Sequence, residues 1–360
     1  MTNRWIPLAA AGILVLSLLG GCSKNKPTPD AEKDAPTTET TVAATTTTET
    51  TATEAPKPDA ALYNRLTGEY DNKAGKDSRT VAVMIGNNPK SRPQVGIASA
   101  DMFFETETEG GITRIMAIYA DASRLPDQLC PIRSARSPFV LMAQALDAIY
   151  IHAGGSRAGL QTLQNSNIAS INALGSNGDT FWRDSSLRSS RGLEYSLSTS
   201  GAKLSSWVGS HDFRRTSDRA PFSFGTAASG DDCTKLQVTF SSAQINSFVY
   251  DSDTGRYKKY VGKLGSGSAH VTTDGTGIEV TNVLVMYDSK YAENETTINF
   301  NLSSGSGLLC SGGKSRPIQW SRSASGLTVR EQNGDTAAFL PGKTYICLVN
   351  KGNAGSTITQ

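Results

Sequence analysis

The chain has 360 residues, 38% of them hydrophobic, and its 35 Lys and Arg residues against 33 Asp and Glu residues leave a formal net charge of +2 at pH 7. That balance excludes the strongly basic face or domain that marks a nucleic-acid binder. The three histidines, His152, His211 and His270, are scattered without metal-ligand spacing, so neither a metal nor a cofactor is expected.

In chain order, a short polar start containing Arg4 is followed by an apolar run over residues 8–19. The run is too short for a membrane span and suits the core of a signal peptide. It ends in LSLLGGC, with the small residues Gly20 and Gly21 directly before Cys22. That arrangement resembles the lipobox of bacterial lipoproteins. It implies a leader over 1–21, cleavage before Cys22, and lipid on the sulfur and amino group of Cys22. Residues 22–61 are rich in Thr, Glu, Ala, Pro and Lys, with TTTTETTATEAPKP at their centre. Such a stretch buries too little apolar surface to offset its ordering entropy. It reads as a disordered linker that lifts a folded body off the membrane, outside the cytoplasm.

The remaining chain is long enough for two medium domains. Over 62–228, strand-like and helix-like runs alternate, which predicts an α/β domain with a mixed sheet and flanking helices. TVAVMIGN opens with a buried strand over 80–85. ADMFFETETEGGITRIMAIYA predicts two strands joined at Gly110-Gly111. SPFVLMAQAL predicts a helix with Ser137 as N-cap and Pro138 as its first residue, and SRAGLQTLQ predicts another capped by Ser156. From 229 to 360 helical patterns vanish. Thr254-Gly255, Asp274-Gly275 and Asn333-Gly334 mark hairpin turns, so a β-rich antiparallel domain is predicted. With Cys22 lipidated, four cysteines remain. Outside the membrane thiols tend to oxidise, and Cys310 with Cys347 is the expected disulfide; Cys130 and Cys233 are left as a second pair or as buried thiols.

Several stretches carry a resemblance: VAVMIGNNPKSRPQVGIASADMFFETETEGGITRIMAIY, PIRSARSPFV, DAIYIHAGGS and FWRD, in this order. They look like the YerB-like bacterial lipoprotein family (domain of unknown function 3048), an extracytoplasmic group. The resemblance covers most of 63–225 and, more loosely, 235–350. It implies an N-terminal α/β domain and a smaller C-terminal one, and it brings no reaction with it. After WRD the family shows a Pro-His-Asn stretch before a tyrosine, where this chain has SSRGLEYS. Arg191 or Gly192 stands near the place of that histidine, which argues against histidine-dependent catalysis here.

Polar residues gather at predicted strand ends and helix starts, where ligands of α/β sheets sit. Arg133 and Arg136 precede the helix at Pro138. A helix N-terminus presents unpaired N–H groups and partial positive charge, so arginines there call for an anion. The anion is either a ligand, gripped by Arg114, Arg133 and Arg136 with the loop of His152, Ser156 and Arg157, or the chain's own Glu105 and Glu109, four apart on one strand and expected to share a face. Three further readings stand beside these. Glu105, Glu107 and Glu109 alternate as a hard-cation site would. Glu105 or Glu109 would serve as catalytic base of an envelope hydrolase or phosphotransferase. Gly154-x-Ser156-x-Ala158 loosely mimics a nucleophile elbow, although glycines for a tight turn and a helix cap explain it better. Phe181, Trp182 and Tyr195 offer a minor hint of a sugar-binding surface. The reading favoured is a lipid-anchored binding or scaffolding module for an anionic cell-wall component or an envelope protein. Its alternatives are the enzyme and a purely structural envelope assembly protein.

Overall fold

The computed structural model describes residues 63–71, 78–226 and 229–360. The leader 1–21, Cys22 and the linker as far as residue 61 lie outside the described residues.

The strand β1 (Val81–Gly86) is buried along its whole length. Near-continuous apolar character is what a strand covered on both faces requires. Its two faces feed different cores. Val81, Val83 and Ile85 join Phe103, Tyr345, Leu236, Phe248 and Tyr257. Ala82 and Met84 join Phe104, Phe139, Met142, Ile318 and Trp320. β2 (Met102–Glu107) and β3 (Thr113–Tyr119) form the predicted hairpin, antiparallel from Met102 opposite Ile118 to Glu107 opposite Thr113. Gly110 and Gly111 have φ of +60° and +76°, the left-handed pair that a type I′ turn demands.

β1 pairs antiparallel with β3 and parallel with β4 (Ile149–His152), and β4 pairs parallel with β5 (Ser170–Asn172). On the other side, β2 pairs parallel with the strand Thr344–Asn350, which itself runs parallel to Asn282–Asp288. The sheet then continues through Ser304–Ser311, Lys314–Ser323 and Gly326–Glu331. One mixed sheet therefore draws strands from both sides of residues 228/229. The fold is sheet-rich, and its α-helices, α1 (Ser137–Ala145), α2 (Arg157–Ser166), α3 (Ser185–Arg191) and α4 (Gly201–Ser210), all lie before residue 229 among the described residues.

A smaller sheet, built on Lys235–Thr239, Ile245–Asp251 and Arg256–Val261, is antiparallel throughout. It supplies Leu236, Val238, Phe248 and Tyr257 to the core shared with β1. The segment after 228 is thus not purely antiparallel. Thr344–Asn350 returns between Asn282–Asp288 and β2, both parallel to it, and fills the gap between the two halves of the main sheet.

Helix α1 starts one residue earlier than its sequence signal: Arg136 is the N-cap and Pro138 the second helical residue. Ser137 instead accepts a bond from the Thr162 hydroxyl of α2 at 3.0 Å. Helix α2 begins as expected, with the Ser156 hydroxyl accepting from the Gly159 amide at 3.1 Å.

Candidate functional site

Strands β1 and β4 pair only from Val81–Ile149 to Val83–Ile151, then diverge. Residues 131–135 wedge into the gap. The Arg133 amide donates to the Met84 carbonyl at 2.8 Å, and the Ala153 amide donates to the Arg133 carbonyl at 3.0 Å. This places the arginine segment beyond the carboxyl ends of β1 and β4, where α/β sheets open a crevice. Gly86 makes room for it: a Cβ there would lie 3.0 Å from Arg133 Cγ. The opposite wall is a short antiparallel ribbon of β6 (Trp182–Arg183) and β7 (Leu197–Ser198), tied down by the Ile132 amide donating to the Leu197 carbonyl at 2.9 Å.

The result is a cleft of about 370 Å³ lined by Arg114, Arg133, Arg136, Arg183, Glu109 and Glu194. Arg136 donates through Nε to Glu109 Oε2 at 3.1 Å and through Nη2 to Oε1 at 2.8 Å, a bidentate fork. Arg114 donates to the same carboxylate and, at 2.7 Å, to the Ser134 carbonyl. Arg133 lies over the Tyr195 ring, 5.2 Å from its centroid. It donates to the Glu194 carbonyl at 2.8 Å and to Glu194 Oε2 at 3.1 Å. Arg183 donates to the Leu193 carbonyl at 2.6 Å, and no carboxylate lies within ion-pair distance of it among the described residues.

Burial pushes Glu109 up, but the charges of Arg114 and Arg136 outweigh it and hold the carboxyl below its usual range. Burial, with Arg136 alongside, pulls Arg114 down to about 10. Burial lowers Arg183 too, with Arg133 and Arg188 pushing the same way. The guanidiniums crowd one another, and a bound anion relieves that repulsion.

The other residues singled out in the sequence go elsewhere. Glu105 does not share the cleft with Glu109, because the strand ends at Glu107 and the glycine turn carries Glu109 away. Glu105 is fully buried on the opposite face. Its Oε1 accepts from Asn87 at 2.9 Å and Thr113 at 2.6 Å; its Oε2 accepts from Asn246 at 2.7 Å and Tyr345 at 2.5 Å. Lys259 Nζ stands 3.8 Å away, equally buried. A base so sealed cannot reach a substrate in the cleft, and Glu109, held ionised by two arginines, is a weak base. Glu107 pairs with Lys290 at 3.0 Å, so the three glutamates diverge, and no cluster of metal-ligating side chains is found among the described residues.

His152 is buried and its Nδ1 bonds the Gly154 carbonyl at 2.7 Å, within its own loop. Burial holds its pKa down. Ser156 Oγ donates to Glu293 Oε2 at 3.2 Å, and Glu293 Oε1 accepts from the Ala158 amide at 2.9 Å. The N-terminus of α2 therefore has an internal anion, and neither Ser156 nor the exposed Arg157 lines the cleft. Tyr195 supports Arg133, and Trp182 sits under Lys203 Nζ, 5.9 Å from the ring centroid.

The expected Cys310–Cys347 disulfide is not compatible with the sheet. Asn282–Asp288 runs between their strands, with Val283 opposite Cys310 and Val285 opposite Cys347. Two strand spacings, about 9.5 Å, exceed the Cα separation of roughly 4.4–6.8 Å that a disulfide spans.

Arg183 and Glu194 were missed as cleft residues. Arg183 lies within the FWRD stretch, but nothing in its spacing tells that it lines one cleft with Arg133. The buried Lys259 and His270 carried no signal either.

Fold and site together define a sheet-rich α/β protein with an arginine-lined cleft at the carboxyl ends of parallel strands. Two family profiles match the chain: the N-terminal domain of DUF3048, described as a protein of unknown function, over 66–214, and its C-terminal domain over 236–346. The chain belongs to the DUF3048 family. It is 29% identical over 316 residues, 83% of its length and 90% of the relative's, to the Bacillus subtilis (strain 168) protein named "Putative lipoprotein YerB". The crystal structure of YerB from Bacillus subtilis matches it with a TM-score of 0.69 at 25% identity, over 80% of this chain and 96% of that one.

Proposed function

We propose that the chain is a lipid-anchored, extracytoplasmic binding or scaffolding module that holds an anionic group of the cell envelope, or an acidic segment of an envelope protein, in the Arg114–Arg133–Arg136–Arg183 cleft. The single observation that carries this reading is the charge count of the cleft: four guanidiniums face two carboxylates. Only Glu109 is locked in place, and it serves two arginines at once. Arg133 is left with Glu194, whose side chain is 68% exposed. The cavity has room for a phosphate or carboxylate with a small attached group. The relative's name and the lipobox-like LSLLGGC support an anchor at Cys22.

The test is thermal unfolding of the full chain with inorganic phosphate, glycerol phosphate and a peptidoglycan stem peptide as separate probes. A ligand at 100 times its Kd stabilises the folded state by about 2.7 kcal/mol. Stabilisation by at least one probe, lost in a folded Arg133→Ala/Arg183→Ala variant, is expected. No response to any probe, or an equal response in the variant, removes the proposal.

A further inference from the structure

Two cysteines that do not line the cleft, Cys233 and Cys310, meet in the core. The strand Ser304–Ser311 turns at Gly312-Gly313 into Lys314–Ser323. The short strand Asp231–Asp232 adds to this hairpin, Asp232 opposite Lys314. The next residue, Cys233, donates its amide to the Gly313 carbonyl at 2.8 Å. That pairing carries the Cys233 side chain over Cys310, with the two sulfurs 3.4 Å apart in the core and both residues fully buried. A second tie, the Tyr257 hydroxyl donating to the Cys233 carbonyl at 2.9 Å, holds the backbone there. A disulfide brings its sulfurs to about 2.05 Å, and these two already face each other at 3.4 Å.

We infer that Cys233 and Cys310 form a disulfide in the exported protein, linking the start of the second half of the chain to the third strand of the main sheet, while Cys130 and Cys347 stay thiols. The inference rests on export, and its chemistry requires a disulfide-bearing thiol oxidant of the envelope. One cysteine thiolate attacks the oxidant's disulfide, giving a mixed disulfide and releasing one oxidant thiolate. The second cysteine thiolate then displaces the other oxidant sulfur. Two thiols lose two electrons and two protons, and the oxidant leaves as a dithiol. Both sulfurs are buried in the finished fold, so the exchange takes place as the chain folds.

The test uses full-length protein extracted from membranes and denatured directly in N-ethylmaleimide. A non-reducing peptide map then reads each cysteine, and the mass of the N-terminal peptide reads lipid on Cys22. The expected result is a lipidated chain with the Cys233 and Cys310 peptides linked, and with maleimide on Cys130 and Cys347. Lipidated chain carrying maleimide on all four cysteines, or Cys310 linked elsewhere, overturns the inference. Chain that retains the leader 1–21 uncleaved overturns the export reading itself, which is a different failure. As a second measurement, reductant lowers the unfolding temperature of wild type but not of Cys233→Ala/Cys310→Ala; equal insensitivity of wild type also sinks it.

Discussion

Arg133 and Arg136 stand three residues apart and meet different acids. Arg136, the N-cap of α1, is forked onto Glu109 on a rigid turn, so its charge belongs to the fold. Arg133 is 18% exposed in its side chain, while its partner Glu194 is free to swing into water. Exposed pairs of this kind are worth about 0.2–1 kcal/mol. On the proposed function, Glu194 is a counter-ion that a ligand anion replaces. Glu194→Gln is expected to tighten phosphate binding by about two- to fivefold, measured by calorimetry; weaker binding would make Glu194 part of the grip instead.

The buried histidines set a pH limit at the same scale. Lys259 Nζ donates to His270 Nδ1 at 2.9 Å, so the proton sits on Nε2, which donates to Gln94 Oε1 at 2.9 Å. Burial, then the charges of Lys259 and Arg92, holds its pKa well below the usual value; burial lowers His152 too. Above about pH 6.5 both are neutral, folded or unfolded, and nothing is lost. Below it the unfolded chain takes up protons that the folded one refuses, so stability falls as pH drops from 6.5 towards the depressed values. The limiting slope is about 1.4 kcal/mol per pH unit for each proton. Urea midpoints at pH 7.5 and 5.5 are expected to differ in wild type and to differ less in His270→Gln. At this scale the sequence named Arg133 and Arg136 because helix-start signals are local, and it named Glu109 only as a strand neighbour of Glu105. It misjudged Glu105, since the facing of residues four apart holds only while the strand lasts.

At the scale of elements, α2 shows how a sequence signal is completed from far away. The Ser156 cap was legible, but Glu293, 135 residues beyond Ala158, supplies the carboxylate at the same helix end. Its removal exposes an amide and a hydroxyl donor without replacing the charge. Glu293→Ala is expected to cost about 1 kcal/mol of unfolding free energy, read by urea denaturation; a change near zero would mean Ser156 suffices. The same contact gives this loop an anion from within the chain.

At the scale of the whole molecule, β2 is an interior strand, hydrogen-bonded to β3 on one side and to Thr344–Asn350 on the other. Ending the chain at 228 would leave β2 as an unpaired apolar edge, which invites aggregation. Residues 62–228 expressed alone are expected to be insoluble or molten, while 62–360 unfolds cooperatively. A soluble, cooperatively unfolding fragment, read by circular dichroism and calorimetry, would refute this.

By itself, the sequence determined the order of the elements, the glycine turns, the helix caps and the family resemblance, because each depends on residues a few positions apart. Only the tertiary structure decided which arginine keeps a spare charge, that Glu105 is sealed with Lys259, and that Cys310 faces Cys233 rather than Cys347. Those outcomes depend on which strands become neighbours, and the strand Thr344–Asn350, near the end of the chain, is the one that joins the halves of the sheet.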